Sequence, residues 1–302
     1  MYKRFYIFLA AIFLLLNKDF AQDKGILALT GTRYFKEGIG AKAMEIKVDG
    51  SFLLSNRVPL NKEIEIRLQT PNGFTEDKTK AFFAAAELNI MSLKGAVLLR
   101  VPNIFKDNEA KGFPSNNFKE LIAKVLLRAD IIKAEPGCII KLRFYDLKSK
   151  NQLRLEVPVT IGRPGEAVQI SKAVNEVATS VPSQAVSVGV KIKNMLVTID
   201  TSIRVSPKMA YTSLDMSGIT GSSIVETLSG KESFWVYDSD LNEIKITDKQ
   251  LKQVGGAMEN NVVNYLSKIP FRLKTISNRS FYVRFRWESA DKRKIIDVVV
   301  LI

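Results

Sequence analysis

Histidine is absent from this 302-residue chain. That absence excludes Ser-His-Asp and Cys-His nucleophilic sites, histidine zinc sites and histidine general-base chemistry. Cysteine is reduced to Cys138, so neither an intrachain disulfide nor a thiolate metal cluster can form. Beside Gly137, at the start of an apolar stretch, Cys138 reads as a buried structural thiol. Ten prolines and 17 glycines are too few for a long low-complexity region. Beyond residue 22 no apolar run has the length of a membrane-spanning helix. Any reaction would have to use carboxylates, lysine, tyrosine or a hard cation on oxygen ligands.

An apolar fraction of 46% and a charged fraction of 25% are ordinary for globular protein. The length is comfortable for two domains of roughly 120–140 residues. The start of the chain stands apart. Lys3 and Arg4 precede the unbroken apolar run Tyr6–Leu16, and the polar segment 17–22 follows. This is the layout of a secretory signal peptide over residues 1–22, with cleavage near Ala21 or Gln22. No cysteine ends the run, so a lipid-modified N-terminus is not available. The expected location is periplasmic or cell-surface associated, with no integral membrane span in the mature chain.

The net charge is +14, of which Lys3, Arg4 and Lys18 against Asp19 account for +2, leaving +12 beyond residue 22. Such a charge favours an acidic neighbour at the envelope. No arginine-rich tract or basic-aromatic motif of a nucleic-acid module is present, so no nucleic-acid partner is expected.

Two stretches echo one another. Setting Lys141–Ile161 above Tyr282–Ile302 places Arg143 on Arg284, Phe144 on Phe285, Glu156 on Asp297 and Val157 on Val298. Each reads as an alternating strand, a charged turn and a more apolar return strand. Extended backward at the same offset, 117–161 matches 258–302 in pattern. Phe118, Leu121, Ile122, Val125 and Leu126 recur at helical spacing behind Asn117, and Leu251 to Leu266 do so behind Asp248. These periods predict a helix before each hairpin. A third short helix is expected at Val168–Ala178.

Elsewhere the pattern is β. Met44, Ile46 and Val48 alternate with charges before the turn Asp49-Gly50, and Ile64, Ile66 and Leu68 alternate with Glu63, Glu65 and Arg67. From Gly162 to Ala185, Pro164, Gly165 and Pro182 interrupt the pattern and mark a linker. Alternation resumes at Val186. The predicted fold is therefore mainly β: two tandem β-sandwich-like domains, 23–161 and 186–302, each with about one helix, joined by a linker at 162–185.

Several motifs fall short of a site. Asp238-Ser239-Asp240-Leu241-Asn242 opens like a calcium loop, but Glu243 replaces the required glycine and Lys249 the bidentate glutamate, so an acidic turn is expected. Glu45, Glu63 and Glu65 fall on solvent faces among lysines and arginines. Gly218 to Ser223 lacks the lysine of a phosphate loop. Asn278-Arg279-Ser280 is a formal glycosylation sequon that marks an exposed turn. Trp235, Tyr237, Tyr282 and Trp287 are assigned to core or strand packing, with Tyr282, Arg284 and Arg286 on the outer face of their strand. The candidate binding residues are the hairpin cations Lys148, Lys150, Arg154, Arg284, Arg286, Lys292, Arg293 and Lys294. No catalytic residue, metal site or cofactor is expected.

The phrase Leu54-Ser55-Asn56-Arg57-Val58-Pro59-Leu60-Asn61-Lys62-Glu63-Ile64, leading a unit that ends in Lys141–Ile161, resembles uncharacterised exported bacterial proteins built of tandem β-sandwich units. The resemblance covers mainly the first unit and implies no site or activity. The function expected is a non-enzymatic binding or structural-interaction protein of the envelope. The alternative is a carbohydrate-binding or carboxylate-based carbohydrate-processing protein, recognisable by an aromatic row beside an acid pair.

Overall fold

The computed structural model describes residues 23–301 except 117, 133–134, 178–182, 193, 201–208, 220–229, 245–251, 260–261 and 273–279; of 194–219 and 252–272 it gives the backbone. The signal-peptide expectation at 1–22 lies outside the described residues, as do Asn278 and Arg279 of the sequon and most of the Gly218–Ser223 loop.

The chain is mainly β. In order, the strands of the N-terminal part are β1 (Lys24–Ile26), β2 (Arg33–Glu37), β3 (Gly40–Val48), β4 (Ser51–Leu53), β5 (Arg57–Pro59), β6 (Glu63–Asn72), β7 (Ala81–Phe82), β8 (Ala84–Ser92), β9 (Val97–Val101), β10 (Phe113–Pro114), β11 (Glu120–Leu126), β12 (Gly137–Asp146) and β13 (Gln152–Gly162). A one-turn helix, α1 (Ala129–Ile132), precedes β12. There follow β14 (Ile170–Ser171), β15 (Asn175–Glu176), β16 (Ser183–Val188), β17 (Asn194–Asp200), β18 (Met209–Ile219), β19 (Gly230–Tyr237), β20 (Glu243–Ile244), β21 (Lys252–Glu259), β22 (Val262–Arg272), β23 (Tyr282–Ser289) and β24 (Ile295–Leu301).

Four larger sheets result. Sheet I has the order β1-β2-β13-β12-β8-β9, and sheet II the order β11-β6-β3-β4-β14. Sheet III has the order β15-β16-β24-β23-β19-β20, and sheet IV the order β17-β18-β22-β21. Sheet I carries a seventh strand, β5, paired parallel with β13. Apart from β5, the six strands of sheet III repeat the order of sheet I. In sheet IV, β18 lies between β17 and β22 as β6 lies between β3 and β11 in sheet II. The buried faces of sheets I and II share one apolar core, in which Ile64, Ile66 and Leu68 meet Ile140, Leu142 and Phe144.

The helix expected at 118–126 is β11, paired residue for residue with β6 from Glu120↔Gln69 to Leu126↔Glu63. Two periods compete there. The helical one put Ile122 and Leu126 inside; the strand one puts Leu121, Ala123, Val125 and Leu127 inside, and all four are buried while Leu126 is 44% exposed. Pairing with a long neighbour satisfies the whole backbone, and that tertiary gain outweighs a weak helical preference. Of the helix expected over 248–266, the described residues are likewise strand, β21 and β22, with a register shift between Gln253 and Gly256. Gly255-Gly256 disfavours helix and suits a bulge. The helix expected at Val168–Ala178 is replaced by β14 and β15. These make the linker an edge of two sheets, since β14 pairs with β4 and β15 with β16.

The terminal strand agrees with its sequence. Ile295 to Val300 are buried on both faces, β24 lying between β16 and β23. One of those faces meets the start of the chain: Ile26, Ala28 and Leu29 pack with Val186, Ile295 and Val299.

Candidate functional site

The start of the chain decides the geometry around it. After β1, Gly31 N–H donates to the Leu27 carbonyl at 3.0 Å and Leu27 N–H to the Thr32 carbonyl at 2.7 Å, closing a tight turn. Leu29 (φ 72°) and Gly31 (φ 70°) are both left-handed, a costly arrangement for leucine. The turn aims the Leu29 carbonyl at sheet III, where it accepts from Arg284 Nη2 at 2.9 Å and Arg286 Nη1 at 3.2 Å. Asp297, wholly buried, accepts from Arg284 Nε at 3.0 Å and Nη2 at 2.8 Å, and from Arg286 Nη1 at 3.2 Å. Arg284 also lies over the Trp235 ring at 4.7 Å, and Arg286 donates to Glu288. Burial works against the charge of Arg284, but the adjacent Asp297 carboxylate more than restores it and holds its pKa above the usual range.

Three further hydrogen bonds join the same two regions, and a fourth ties the linker to the last hairpin. Ala28 N–H donates to Gln184 Oε1 (2.8 Å), Arg33 Nη1 to the Leu241 carbonyl (3.0 Å), and Tyr282 OH to the Lys24 carbonyl (3.0 Å). Gln169 Nε2 donates to the Lys292 carbonyl at 3.0 Å.

Beside this clasp lies a cleft of about 510 Å³, within the range of ligand sites. Ile26, Ala28, Val186, Val299, Met44 and Phe52 contribute its apolar lining. Lys36, Lys42, Glu45 and Glu176 supply its charge. Glu45 is held by Lys47 at 2.7 Å. Lys36 and Lys42 form no ion pair among the described residues. Lys36 is half-buried, 5.2 Å from the Tyr34 ring; desolvation lowers its pKa, and Asp23 opposes that only in part. Tyr34 is pushed up to about 12, by burial first and by Tyr282 second. Along one side runs β3. It pairs with β6 from Gly40 to Val48, but on its other flank β4 meets it only at Lys47 and Val48. Among the described residues the flank of Gly40–Ile46 is therefore an unpaired strand edge, and residues 41–46 line the cleft.

The hairpin cations named from sequence fall in three places. Lys148 and Lys150 are exposed on the β12–β13 turn, where Lys148 pairs with Asp77 at 3.5 Å and lies 3.6 Å from the Phe83 ring centre. Arg154 pairs with Glu37 at 2.7 Å. Lys292 and Arg293 are on the β23–β24 turn against the linker, with the Arg293 side chain 87% exposed. Arg284, Arg286 and Lys294 are buried, at 6%, 6% and 7% exposure, so the outer face expected for the first two is an internal one. Alternation along β23 identified their shared face; the turn at Leu29, distant in sequence, covers it. The two basic turns are not brought together. One lies at the Gln152 end of the 11-residue β13, whereas the other abuts the linker that follows Gly162.

Trp287, Tyr237 and Tyr282 are buried, and Trp235 is partly buried under Arg284, so these four rings make no open stacking platform. Glu65 pairs with Arg67 and Lys124, and Glu63 with Lys124. Asp238 uses its carboxylate within its own turn, accepting from Asp240 N–H and Asn242 N–H at 2.8 Å each. The cleft was invisible to sequence reasoning, because its walls come from segments more than 250 residues apart. The one local clue was the stretch 23–40, where Gly25, Gly31, Gly38 and Gly40 separate short apolar pieces and the sequence pattern reads as a loosely held lead-in. Compared with protein-family models and with curated proteins, the chain matches none.

Proposed function

We propose that this chain is an exported, non-enzymatic binding or structural-interaction protein of the bacterial envelope, periplasmic or surface-associated, that contacts an acidic partner. The observation that carries this reading is the cleft beside the Leu29 clasp. It pairs an apolar wall with two lysines, Lys36 and Lys42, that form no ion pair among the described residues, the nearby Asp23 offsetting the burial of Lys36 only in part. A cation left uncompensated beside apolar surface is stabilised by an incoming anion. Export rests on the basic start and apolar run of residues 1–22. The absence of histidine, and the engagement of Glu45 by Lys47, favour binding over catalysis.

The architecture we propose is two tandem β-sandwich units, sheets I with II and III with IV, related by duplication. Its support is the shared strand order of sheets I and III, and the single core between sheets I and II. It accords with the resemblance to exported proteins of tandem β-sandwich units.

The test is capture of partners from envelope extract by the chain lacking residues 1–22, at low and raised salt. A partner retained at low salt and released at raised salt is expected. Capture that ignores salt, or no capture, sinks the reading.

A further inference from the structure

From the free flank of β3 we infer that Gly40–Ile46 is a docking edge for an extended, acidic peptide segment of a partner, which would add a strand to sheet II inside the cleft. The inference rests on the binding role proposed above and gives it a place and a partner chemistry. Antiparallel strands direct alternate N–H and C=O groups to opposite flanks. On β3 the flank toward β6 is paired at every position from Gly40 to Val48 except Lys42, while among the described residues the other is paired only at Lys47 and Val48. No other backbone or side-chain group among the described residues bonds to 40–46 on that flank. Such rows of main-chain groups are templates for another strand, and proteins ordinarily cover, shorten or charge them. Here the row is set within a cleft, which limits edge-to-edge pairing of whole sheets and admits a single extended segment.

Three features fix the occupant. Ala41 and Ala43 are small and leave room for a neighbouring backbone. Met44, Phe52 and Val299 offer apolar surface to alternate side chains of an added strand. Lys36 and Lys42 call for carboxylates on that strand; Glu176, at the far wall, is the one acid of the lining that no cation of the described residues pairs with, and it disfavours a segment acidic throughout. The geometry therefore suits alternation of apolar and acidic residues.

The probe is an acetylated Val-Glu repeat peptide, set beside a Val-Lys repeat and a Val-Glu repeat N-methylated at alternate residues. The readout is amide hydrogen exchange of the chain lacking residues 1–22. Val-Glu is expected to protect 40–46, and Lys42→Glu to weaken its binding about tenfold, the scale of one charged contact. Lys36→Met, which keeps an unbranched side chain and removes the ammonium that lies over Tyr34, is expected to weaken it similarly. Alternate N-methylation is expected to abolish protection, since main-chain bonds carry strand addition. Equal binding of the N-methylated or Val-Lys peptide, protection elsewhere, or no binding at all overturns the inference. So does protection of 40–46 that rises with protein concentration alone, which would make a second copy the occupant. Envelope capture that survives both substitutions sinks the docking edge and leaves the wider binding reading intact. Peptide docking at 40–46 without any salt-sensitive envelope partner does the reverse.

Discussion

Arg284 and Asp297 meet in a two-pronged ion pair on adjacent strands, Nε to Oδ1 at 3.0 Å and Nη2 to Oδ2 at 2.8 Å, and Arg284 then reaches across to the Leu29 carbonyl. The pair faces a turn more than 250 residues away and fixes it. The last hairpin of the chain is thereby tied to the turn that follows β1.

Removing Asp297 leaves two buried guanidinium groups without their shared carboxylate. Asp297→Asn is expected to destabilise the chain by about 3–5 kcal/mol, read from chemical denaturation. Replacing Arg284, Arg286 and Asp297 together by Met, Met and Leu removes the charges with their need for partners, and should cost clearly less. Equal losses would show that the ion pair itself, rather than its desolvated partners, dominates.

Gly31 tests the turn. An added Cβ would approach Arg284 Nη1 to 2.5 Å, at a φ of +70°. Gly50 has a similar φ of +73° with nothing within 4 Å. Gly31→Ala and Gly50→Ala share a backbone penalty of about 1 kcal/mol. Thermal unfolding should show a larger loss for Gly31→Ala, with altered Trp235 fluorescence as Arg284 moves.

Glu166 joins the linker to β5 through Arg57, Nε to Oε1 at 2.6 Å and Nη2 to Oε2 at 2.9 Å. Its hydrogen bonds to the Arg57 side chain, and then to Arg163 N–H, hold its carboxyl at about 2 instead of 4.5. A carboxyl whose folded pKa is depressed contributes stability above its unfolded pKa and loses it as pH falls toward the folded one. The contribution of this pair should therefore fade between pH 4.5 and about 2. Glu166→Gln should remove that part of the pH dependence; a carboxyl titration near 4.5 by NMR in the wild-type chain would contradict the pair.

Cys138 is fully buried, and burial pushes its thiol up to about 11. Alkylation at pH 8 should be very slow in the native chain and rapid in denaturant. Its denaturant dependence should follow unfolding of sheet I, in which Cys138 pairs with Ser92 and Val159.

Deletion of 298–302 removes most of the strand between β16 and β23. The truncated chain should lose cooperative unfolding of the C-terminal sheets. A soluble truncation with an undiminished transition would show that β24 is dispensable.

The echo between the two hairpins was legible, but its offset was not. Asp146 closes its turn on Asn151 and Ser289 on Lys294, so equivalent turn positions lie 143 apart rather than 141. At that spacing Ile140, Leu142 and Phe144 fall on Val283, Phe285 and Trp287, and all six are buried. The two-residue slip preserves parity, and a strand has a period of two, so the inward face reads correctly at either offset. For the helices, 118–126 satisfied both periods, and only the presence of β6 alongside chose between them.

The amino-acid order by itself determined the composition-level chemistry, the β-rich class, the buried Cys138 and the double-sided burial of β24. These follow from residue type and from alternation, which are local. Tertiary structure decided which apparent surface faces were interior: Arg284 and Arg286 alternate onto an outer face until the Leu29 turn closes over it. It also decided where an edge stays open, because the vacancy beside Gly40–Ile46 depends on β4 being only three residues long and pairing at one end. Pairing partners, and their absence, are relations between distant segments, and no local pattern encodes them.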